Sequence, residues 1–250
     1  MLRQPQPTIG LVVPCLNDAA LLARCLDSFT SQTRPFDRVI VVDNGSTDES
    51  ADVARSAGAT VVAEARRGIT WAARAGYDEA AALGLDLIVR TDADAWADPT
   101  YTARLLQAWD QARAPRKEVV GITGSARFDI PGWRGRIASR AYLGAYRLSV
   151  GAALGHPPFF GTNCSFTTSW WRDIRGALDP ADTESHDDIQ LSFAVRPHET
   201  VVFRPELAVG MDPRALYGAR QLARRFARGT HSMRRGFAVS PPHRRLVERV

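Results

Sequence analysis

The sequence predicts an α/β fold built on a mostly parallel sheet, and three observations carry that prediction. Short aliphatic runs alternate with segments of helical periodicity from the first residues onward, the pattern of successive βαβ units. Two of those runs end in clusters of acidic and turn-forming residues, as strands do where an open α/β sheet binds ligands. No apolar run approaches the roughly 18 residues that a membrane span needs, so the aliphatic runs belong to a buried sheet.

The elements follow in order. Residues 8–14 (TIGLVVP) predict a short strand, after which Leu21, Leu22, Cys25, Leu26 and Phe29 recur at helical spacing. Residues 38–43 (RVIVVD) predict a second buried strand, running into the turn-rich DNGSTD at 43–48. A helix to about Ala57, a strand over 60–63 and an alanine-rich helix over 69–83 come next. A fourth strand ends in Asp92 and Asp94, within 85–98 (LDLIVRTDADAWAD), and a helix starts near Pro99. After Pro115 the alternation loosens. Residues 119–128 predict a strand. Residues 134–154 predict a helix whose apolar stripe carries Arg134, Arg136, Arg140 and Arg147. Residues 161–171 predict a strand entering a short helix, and 186–195 (HDDIQLSFAV) a helix with acids at its start. The first half has the look of a nucleotide-binding α/β unit, and the second of a less regular platform on the same sheet.

At 250 residues, 45% hydrophobic and 24% charged, the chain has the composition of a soluble globular protein of one large or two small domains. The N-terminal apolar run 9–16 is short, is broken by Pro14 and leads into Asn17 and Asp18, so it predicts a strand and no signal peptide. Cys15, Cys25 and Cys164 lack metal-ligand spacing and are expected as small buried apolar side chains in a reducing, cytoplasmic setting. The net charge of +5 is uneven: residues 213–250 hold ten arginines and one acid, Glu248, for +9, leaving −4 on the rest.

The chemistry-bearing segment is Asp92-Ala93-Asp94. Carboxylates at i and i+2 on extended backbone point to one side, and two such anions at the carboxyl end of a strand call for a hard divalent cation carrying a substrate phosphate. The competing reading is a solvated turn in which Asp94 or Asp98 caps the next helix.

Four segments in order resemble family 2 glycosyltransferases: Val12-Val13-Pro14-Cys15-Leu16-Asn17-Asp18, Val41-Val42-Asp43-Asn44-Gly45-Ser46-Thr47-Asp48, Thr91-Asp92-Ala93-Asp94, and Ser185-His186-Asp187-Asp188-Ile189-Gln190-Leu191. The resemblance covers roughly residues 8–230. It implies a GT-A-like, Rossmann-type mixed sheet flanked by helices. This would be a single catalytic domain over 1–212 with a nucleotide-sugar half (about 8–115) abutting an acceptor half (about 116–212). The implied activity is inverting transfer of a sugar from a nucleoside-diphosphate sugar, uridine favoured, to a hydroxyl acceptor, with Mg2+ or Mn2+. Pro14, Asn17, Asp18, Asp43, Gly68 and Asp92 would bind the nucleotide sugar, with Asp43 reading the base edge. Asp94, with Asp92, would hold the metal, and His231 would complete its shell. Asp188 would be the general base, supported by Asp187. Two departures stand out: Leu16 occupies a position where the family usually has an aromatic. Residues 68–76 (GITWAARAG) keep the family's glycines but move the arginine by one, leaving Arg67 or Arg74 to reach a diphosphate.

Residues 221–226 (QLARRF) are similar to the Gln-x-x-Arg-Trp element of processive members, but Arg225 replaces the tryptophan, which argues for a non-processive enzyme. Leu216, Ala219, Leu222, Ala223 and Phe226 form one apolar face opposed by arginines. Three roles fit this basic amphipathic stretch over 213–250: docking on an anionic membrane surface near a lipid-linked acceptor, a lid over the diphosphate, or plain packing. A nucleotidyltransferase would share the architecture but needs a Gly-rich basic loop where Cys15-Leu16-Asn17-Asp18 stands. A non-catalytic scaffold would need broken acidic sites. The tail has few aromatics for a nucleic-acid partner, and none is expected.

Overall fold

The computed structural model describes residues 6–249, apart from the side chains of Ala215, Ala219, Arg220, Gln221 and Leu222. Strand β1 (Ile9–Cys15) is followed by α1 (Ala19–Thr30), β2 (Arg38–Asp43), α2 (Ser50–Ser56), β3 (Thr60–Ala63), α3 (Ile69–Ala82), β4 (Leu87–Arg90), β5 (Ala95–Trp96) and α4 (Tyr101–Gln111). The second half contributes β6 (Glu118–Phe128), α5 (Gly132–Leu154), β7 (Cys164–Thr167), α6 (Thr168–Ile174), α7 (Asp187–Ala194), β8 (Glu199–Met211), a 3-10 turn (Pro213–Leu216), α8 (Ala219–Val239) and α9 (Pro242–Glu248). The sheet order is β3-β2-β1-β4-β7-β6-β8-β5. Its first four strands are parallel, as the βαβ rhythm predicts. The antiparallel strand β7 then joins β4 to β6.

Alternation along β1 explains how helices cover both faces. Ile9, Leu11, Val13 and Cys15 enter one buried cluster with Leu22, Cys25, Leu26 and Phe29 of α1 and Tyr101 and Leu105 of α4. Val12, with Ile40, Val42 and Ile88, enters the opposite cluster with Tyr77 of α3, Trp170 and Trp171 of α6, and Leu191 of α7. Successive side chains of a strand point to opposite faces, so one strand feeds both layers. Helix α3 lies close on the sheet because Gly76 has no side chain: a Cβ there would sit 2.3 Å from Val12 Cγ1. All three cysteines are free and buried, as expected.

One feature departs from the sequence expectation. Residues 199–211 form a 13-residue strand that carries no clear strand signal, because Arg204, Pro205 and Glu206 interrupt its apolar pattern where the pairing with β6 shifts register. The basic C-terminal stretch, for which the sequence leaves packing as one of three roles, is bonded to the end of α7. Arg245 donates to the Phe193 and Val195 carbonyls at 3.0 and 3.3 Å, and Arg249 to Val195 and Glu199 at 2.6 and 3.1 Å, so these cations satisfy open carbonyls at the end of α7.

His156 lies 6% exposed beside these arginines, Nδ1 2.9 Å from the Pro157 carbonyl and Nε2 3.1 Å from that of Ser192. Burial, then the charge of Arg249, pushes its pKa from 6.5 to about 3. The unfolded chain therefore takes up a proton between those values that the folded chain refuses. The neutral histidine's stability is complete above pH 6.5 and declines as the pH falls, by up to roughly 1.4 kcal/mol per pH unit. His156→Gln should flatten the loss of unfolding free energy between pH 6.5 and 4 in urea titrations. An unchanged slope would contradict this assignment.

Candidate active site

The acidic segments converge at the carboxyl edge of the parallel strands, but not through the strand pleat. Strand β4 ends at Arg90, and Asp92 and Asp94 lie in the turn before β5. The Ala95 amide bonds back to the Asp92 carbonyl at 3.1 Å, which folds the backbone there and replaces the extended, same-side pair with two carboxylates that take different partners. Asp92 Oδ1 is 2.5 Å from Arg90 Nη1, and its Oδ2 accepts from the Thr162 hydroxyl at 2.5 Å. Burial pushes this carboxyl up, yet Arg90 and the Thr162 bond outweigh it and hold it below the usual range. Asp94 Oδ2 accepts from Arg214 Nε at 2.8 Å, while Arg214 Nη1 and Nη2 reach Asp18 at 2.9 and 2.5 Å. Burial, then the charge of Asp92, lifts Asp94 to about 6 against the pull of Arg214.

Arg214 is brought there by β8, whose end places the Asp212 amide 3.1 Å from the Asp94 carbonyl. The Asp212 carboxylate accepts the Arg214 amide at 2.8 Å and starts the 3-10 turn. A guanidinium therefore bridges two carboxylates of the expected donor site. Carboxylate oxygens are the hard donors that Mg2+ or Mn2+ takes, and those of Asp18 and Asp94 are here paired with Arg214.

The other residues expected at the nucleotide sit around this edge. Pro14 is buried near the end of β1. Asn17 adopts a φ of 52° and its Oδ1 accepts the Thr47 amide at 2.7 Å, so it ties the loop after β1 to the loop after β2. Asp43 Oδ1 accepts the Ser46 amide at 2.9 Å. Gly68, at φ 136°, donates to Asn44 Oδ1 at 2.9 Å, and a Cβ there would lie 2.8 Å from Thr183 Cγ2. Arg67 borders the same loop, near Gly45. Arg74 instead donates to the Arg175 carbonyl at 3.3 Å.

The second acidic pair opens α7. Asp187 is buried, with Oδ2 3.2 Å from Arg90 Nε and 3.4 Å from the Tyr77 hydroxyl. Burial outweighs Arg90 and raises its pKa. Asp188 is half-buried, and its Oδ2 accepts the Gly161 amide at 2.9 Å and the Tyr146 hydroxyl at 3.4 Å. Among the described residues nothing engages Oδ1. Asp187 is thus the buried member of the pair and Asp188 the half-buried one, with one carboxylate oxygen left open. A side chain at Gly161 would crowd both sites: its Cβ would lie 2.8 Å from Arg90 Nη1 and 3.2 Å from Asp188 Oδ2.

His231 is placed elsewhere. Its Nε2 lies 2.9 and 3.1 Å from the two oxygens of Asp182, so it braces the loop before α7 rather than joining Asp92 and Asp94. On α8 the apolar and basic side chains take different surroundings. Phe226 is 66% exposed, whereas Arg228 turns inward to the Thr183, Glu184 and Ser185 carbonyls at 3.0–3.1 Å, and Arg235 pairs with Asp179 and Asp182. Open carbonyls and carboxylates in that loop attract the guanidinium groups more strongly than the apolar face attracts the core. Ser232 Oγ accepts the His186 amide at 2.9 Å, so α8 fixes the entry to the acidic pair. Arg225 adds positive charge near Asp92. The side chains of Ala219, Arg220, Gln221 and Leu222, also expected in this helix, lie outside the described residues.

Sequence reasoning missed Arg90, Thr162, Tyr146 and Arg214. Arg90 alone left a signal, as an arginine at the end of an aliphatic strand needs a buried partner. The others are single polar residues without spacing.

The mixed sheet with its acidic edge defines the GT-A class of glycosyltransferase fold. The chain belongs to glycosyl transferase family 2, whose model matches residues 11–148. An uncharacterised glycosyltransferase of Mycobacterium tuberculosis is 34% identical over 118 residues, 46% of this chain and 51% of that protein. A PGL/p-HBAD biosynthesis glycosyltransferase of Mycobacterium bovis is 46% identical over 48 residues, 19% of each chain. The chain thus spans about half the length, or less, of these curated relatives. Among solved structures, a mannosyltransferase from Pyrobaculum calidifontis in complex with GDP-Man and Mn2+ superposes with a TM-score of 0.62 at 20% identity, covering 98% of this chain and 74% of that one. Glucosyl-3-phosphoglycerate synthase from Mycobacterium tuberculosis, in complex with Mn2+, UDP and phosphoglyceric acid, gives 0.55 at 21% identity, covering 89% and 78%.

The Arg214 bridge predicts competition with metal. Arg214→Gln should tighten Mn2+ binding by the donor-free protein, measured by isothermal titration, on the order of tenfold, or ~1.4 kcal/mol. Unchanged or weaker binding would show that the guanidinium and the metal do not contend for the same carboxylates.

Proposed function

We propose that the protein is a non-processive, inverting glycosyltransferase that moves a sugar from a nucleoside-diphosphate sugar, UDP favoured, to a hydroxyl on a lipid-linked or membrane-proximal acceptor. The observation that carries this reading is the pair of acidic sites, one on each half of the sheet, held apart and in register by Arg90. Asp43, Pro14, Asn17, Asp18 and Gly68 border the space for the nucleoside. Asp94, aided by Asp92 and Asp18, would hold Mg2+ or Mn2+, which when bound supplies charge stabilisation to the leaving diphosphate, worth several kcal/mol. Across the sugar, Asp188 takes the acceptor hydroxyl's proton on Oδ1 while Gly161 and Tyr146 fix Oδ2. The acceptor oxygen forms its bond to the anomeric carbon as the carbon–oxygen bond to the diphosphate breaks, and the nucleoside diphosphate leaves with the electron pair. Attack from the face opposite the leaving group inverts the anomeric centre. Arg225 and Arg214 lie within reach of the charge that accumulates on the diphosphate. The work belongs in the cytoplasm, where nucleotide sugars and reduced thiols coexist.

The test is a panel of nucleotide sugars with Mn2+, read as nucleoside-diphosphate release. One or a few donors should turn over, chelator should abolish turnover, and NMR of the product should show the inverted anomer. A retained anomer, or full activity in excess chelator, would overturn the mechanism. Asp188→Asn should lower transfer by roughly 10²-fold or more, the usual size of a general-base contribution, with nucleoside-diphosphate affinity almost unchanged. Asp187→Asn should cost unfolding free energy as well as activity, because it also loosens the buried pair. Full transfer by Asp188→Asn would move the base elsewhere.

A further inference from the structure

Helix α5 has one face on Asp188 and an opposite face that, among the described residues, is mostly unpacked, with Arg147 on its flank stacked 4.3 Å over the Phe203 ring. Tyr146 points inward, its hydroxyl reaching the Phe159 carbonyl at 2.8 Å and Asp188 at 3.4 Å, and Ser139 and Val150 are buried on the same side. On the far side Trp133, Ile137 and Leu148 are 61%, 56% and 69% exposed. Their spacing along a 3.6-residue helix gathers them into a sector roughly 60° wide. Arg136, Arg140 and Arg147 border that sector on one flank and Arg134 on the other. The 23-residue helix contains no acid, and among the described residues no ion pair involves any of these four arginines.

We propose that this outer face of α5 docks the protein on an anionic phospholipid bilayer. Large apolar side chains, one of them a tryptophan, seat at the level of the headgroups, and the flanking guanidinium groups meet lipid phosphates. A soluble protein partner would bury the sector against a surface carrying matching carboxylates, whereas a bilayer supplies both the apolar layer and a diffuse negative charge at once. The geometry has a consequence for the reaction. With the bilayer on one side of α5 and Asp188 on the other, the acceptor site sits about one helix diameter, ~10 Å, from the headgroups. This deepens the membrane-proximal reading above and rests on it for the acceptor, while the docking itself stands apart from the chemistry. It places the docking surface on the acceptor half; on the C-terminal helix Arg228 and Arg235 hold the loop before α7, while Arg224 and Arg234 are exposed.

The test is co-sedimentation of the full chain with phosphatidylglycerol-containing and pure phosphatidylcholine vesicles. Binding to the anionic vesicles should exceed binding to the neutral ones and fall as salt rises past physiological strength. The double variant Ile137→Ser, Leu148→Ser, with both sites on the surface, should keep its melting temperature and its donor hydrolysis and lose vesicle affinity by at least about tenfold. Trp133→Phe should still bind, but the blue shift of tryptophan emission on binding should largely vanish. Vesicle binding by the double variant equal to that of the parent overturns the proposal. So does a parent that ignores vesicles but forms a dimer that the double variant abolishes, since the face would then be a contact between copies of the chain. Vesicle binding without transfer to any lipid-linked acceptor would leave the docking intact and overturn the acceptor reading. Transfer without vesicle binding would do the reverse.

Discussion

Arg90 ends a central strand at 3% exposure, its guanidinium 2.5 Å from Asp92 and 3.2 Å from Asp187. Burying three charges is tolerable only because each finds an opposite charge at contact distance. Burial alone would lower the pKa of Arg90, yet the two carboxylates hold it well above the ordinary arginine value. The two acids come from different halves: Asp92 from the turn after β4, Asp187 from the first residue of α7. One cation therefore fixes the distance between the donor edge and the helix that carries Asp188. Gly161, whose amide bonds Asp188, leaves room for this arrangement by lacking a side chain. A planar fork with several donors can span two carboxylates, which a lysine cannot do.

The rest of the site is organised around the same imbalance of charge. Asp18, Asp92 and Asp94 crowd one edge, and Arg90, Arg214 and Arg225 converge on them from three different elements. That clustering keeps an acid-rich cleft stable before any substrate arrives. Burial and the charge of Asp92 still hold Asp94 at about 6, although Arg214 pairs with it. The second cationic set, Arg228 and Arg235 on α8, acts at one remove by holding the loop that leads into α7. The placement of the acidic pair on α7 thus depends on residues far along the chain.

Much of this was legible in the sequence. Aliphatic runs and helical stripes located the sheet and most helices to within a few residues, because strands buried on both faces tolerate little but Val, Ile and Leu. The acidic clusters were legible because carboxylates ending a strand are costly without a purpose. Strand β8 was hidden by Arg204-Pro205-Glu206, which sit at its irregular middle. The side chains that organise the charges were hidden for a different reason: Arg90, Arg214 and Tyr146 act through contacts across 97, 120 and 42 residues of sequence, which no local pattern encodes. The apolar spacing of α8 left three roles open for the same cause: the carbonyls and carboxylates of the loop before α7 that take up Arg228 and Arg235 are set by tertiary structure.

Arg90 joins the two acidic sites into one unit. A double-mutant cycle of Arg90→Met and Asp187→Asn, read as unfolding free energy in urea, tests it most directly. Removing one partner of a buried pair typically costs 3–5 kcal/mol, an order-of-magnitude figure. Each single change is therefore expected to be severe, and the double change to cost less than their sum by about 2 kcal/mol or more. Single effects that add to within about 0.5 kcal/mol, as independent sites do, would contradict the account.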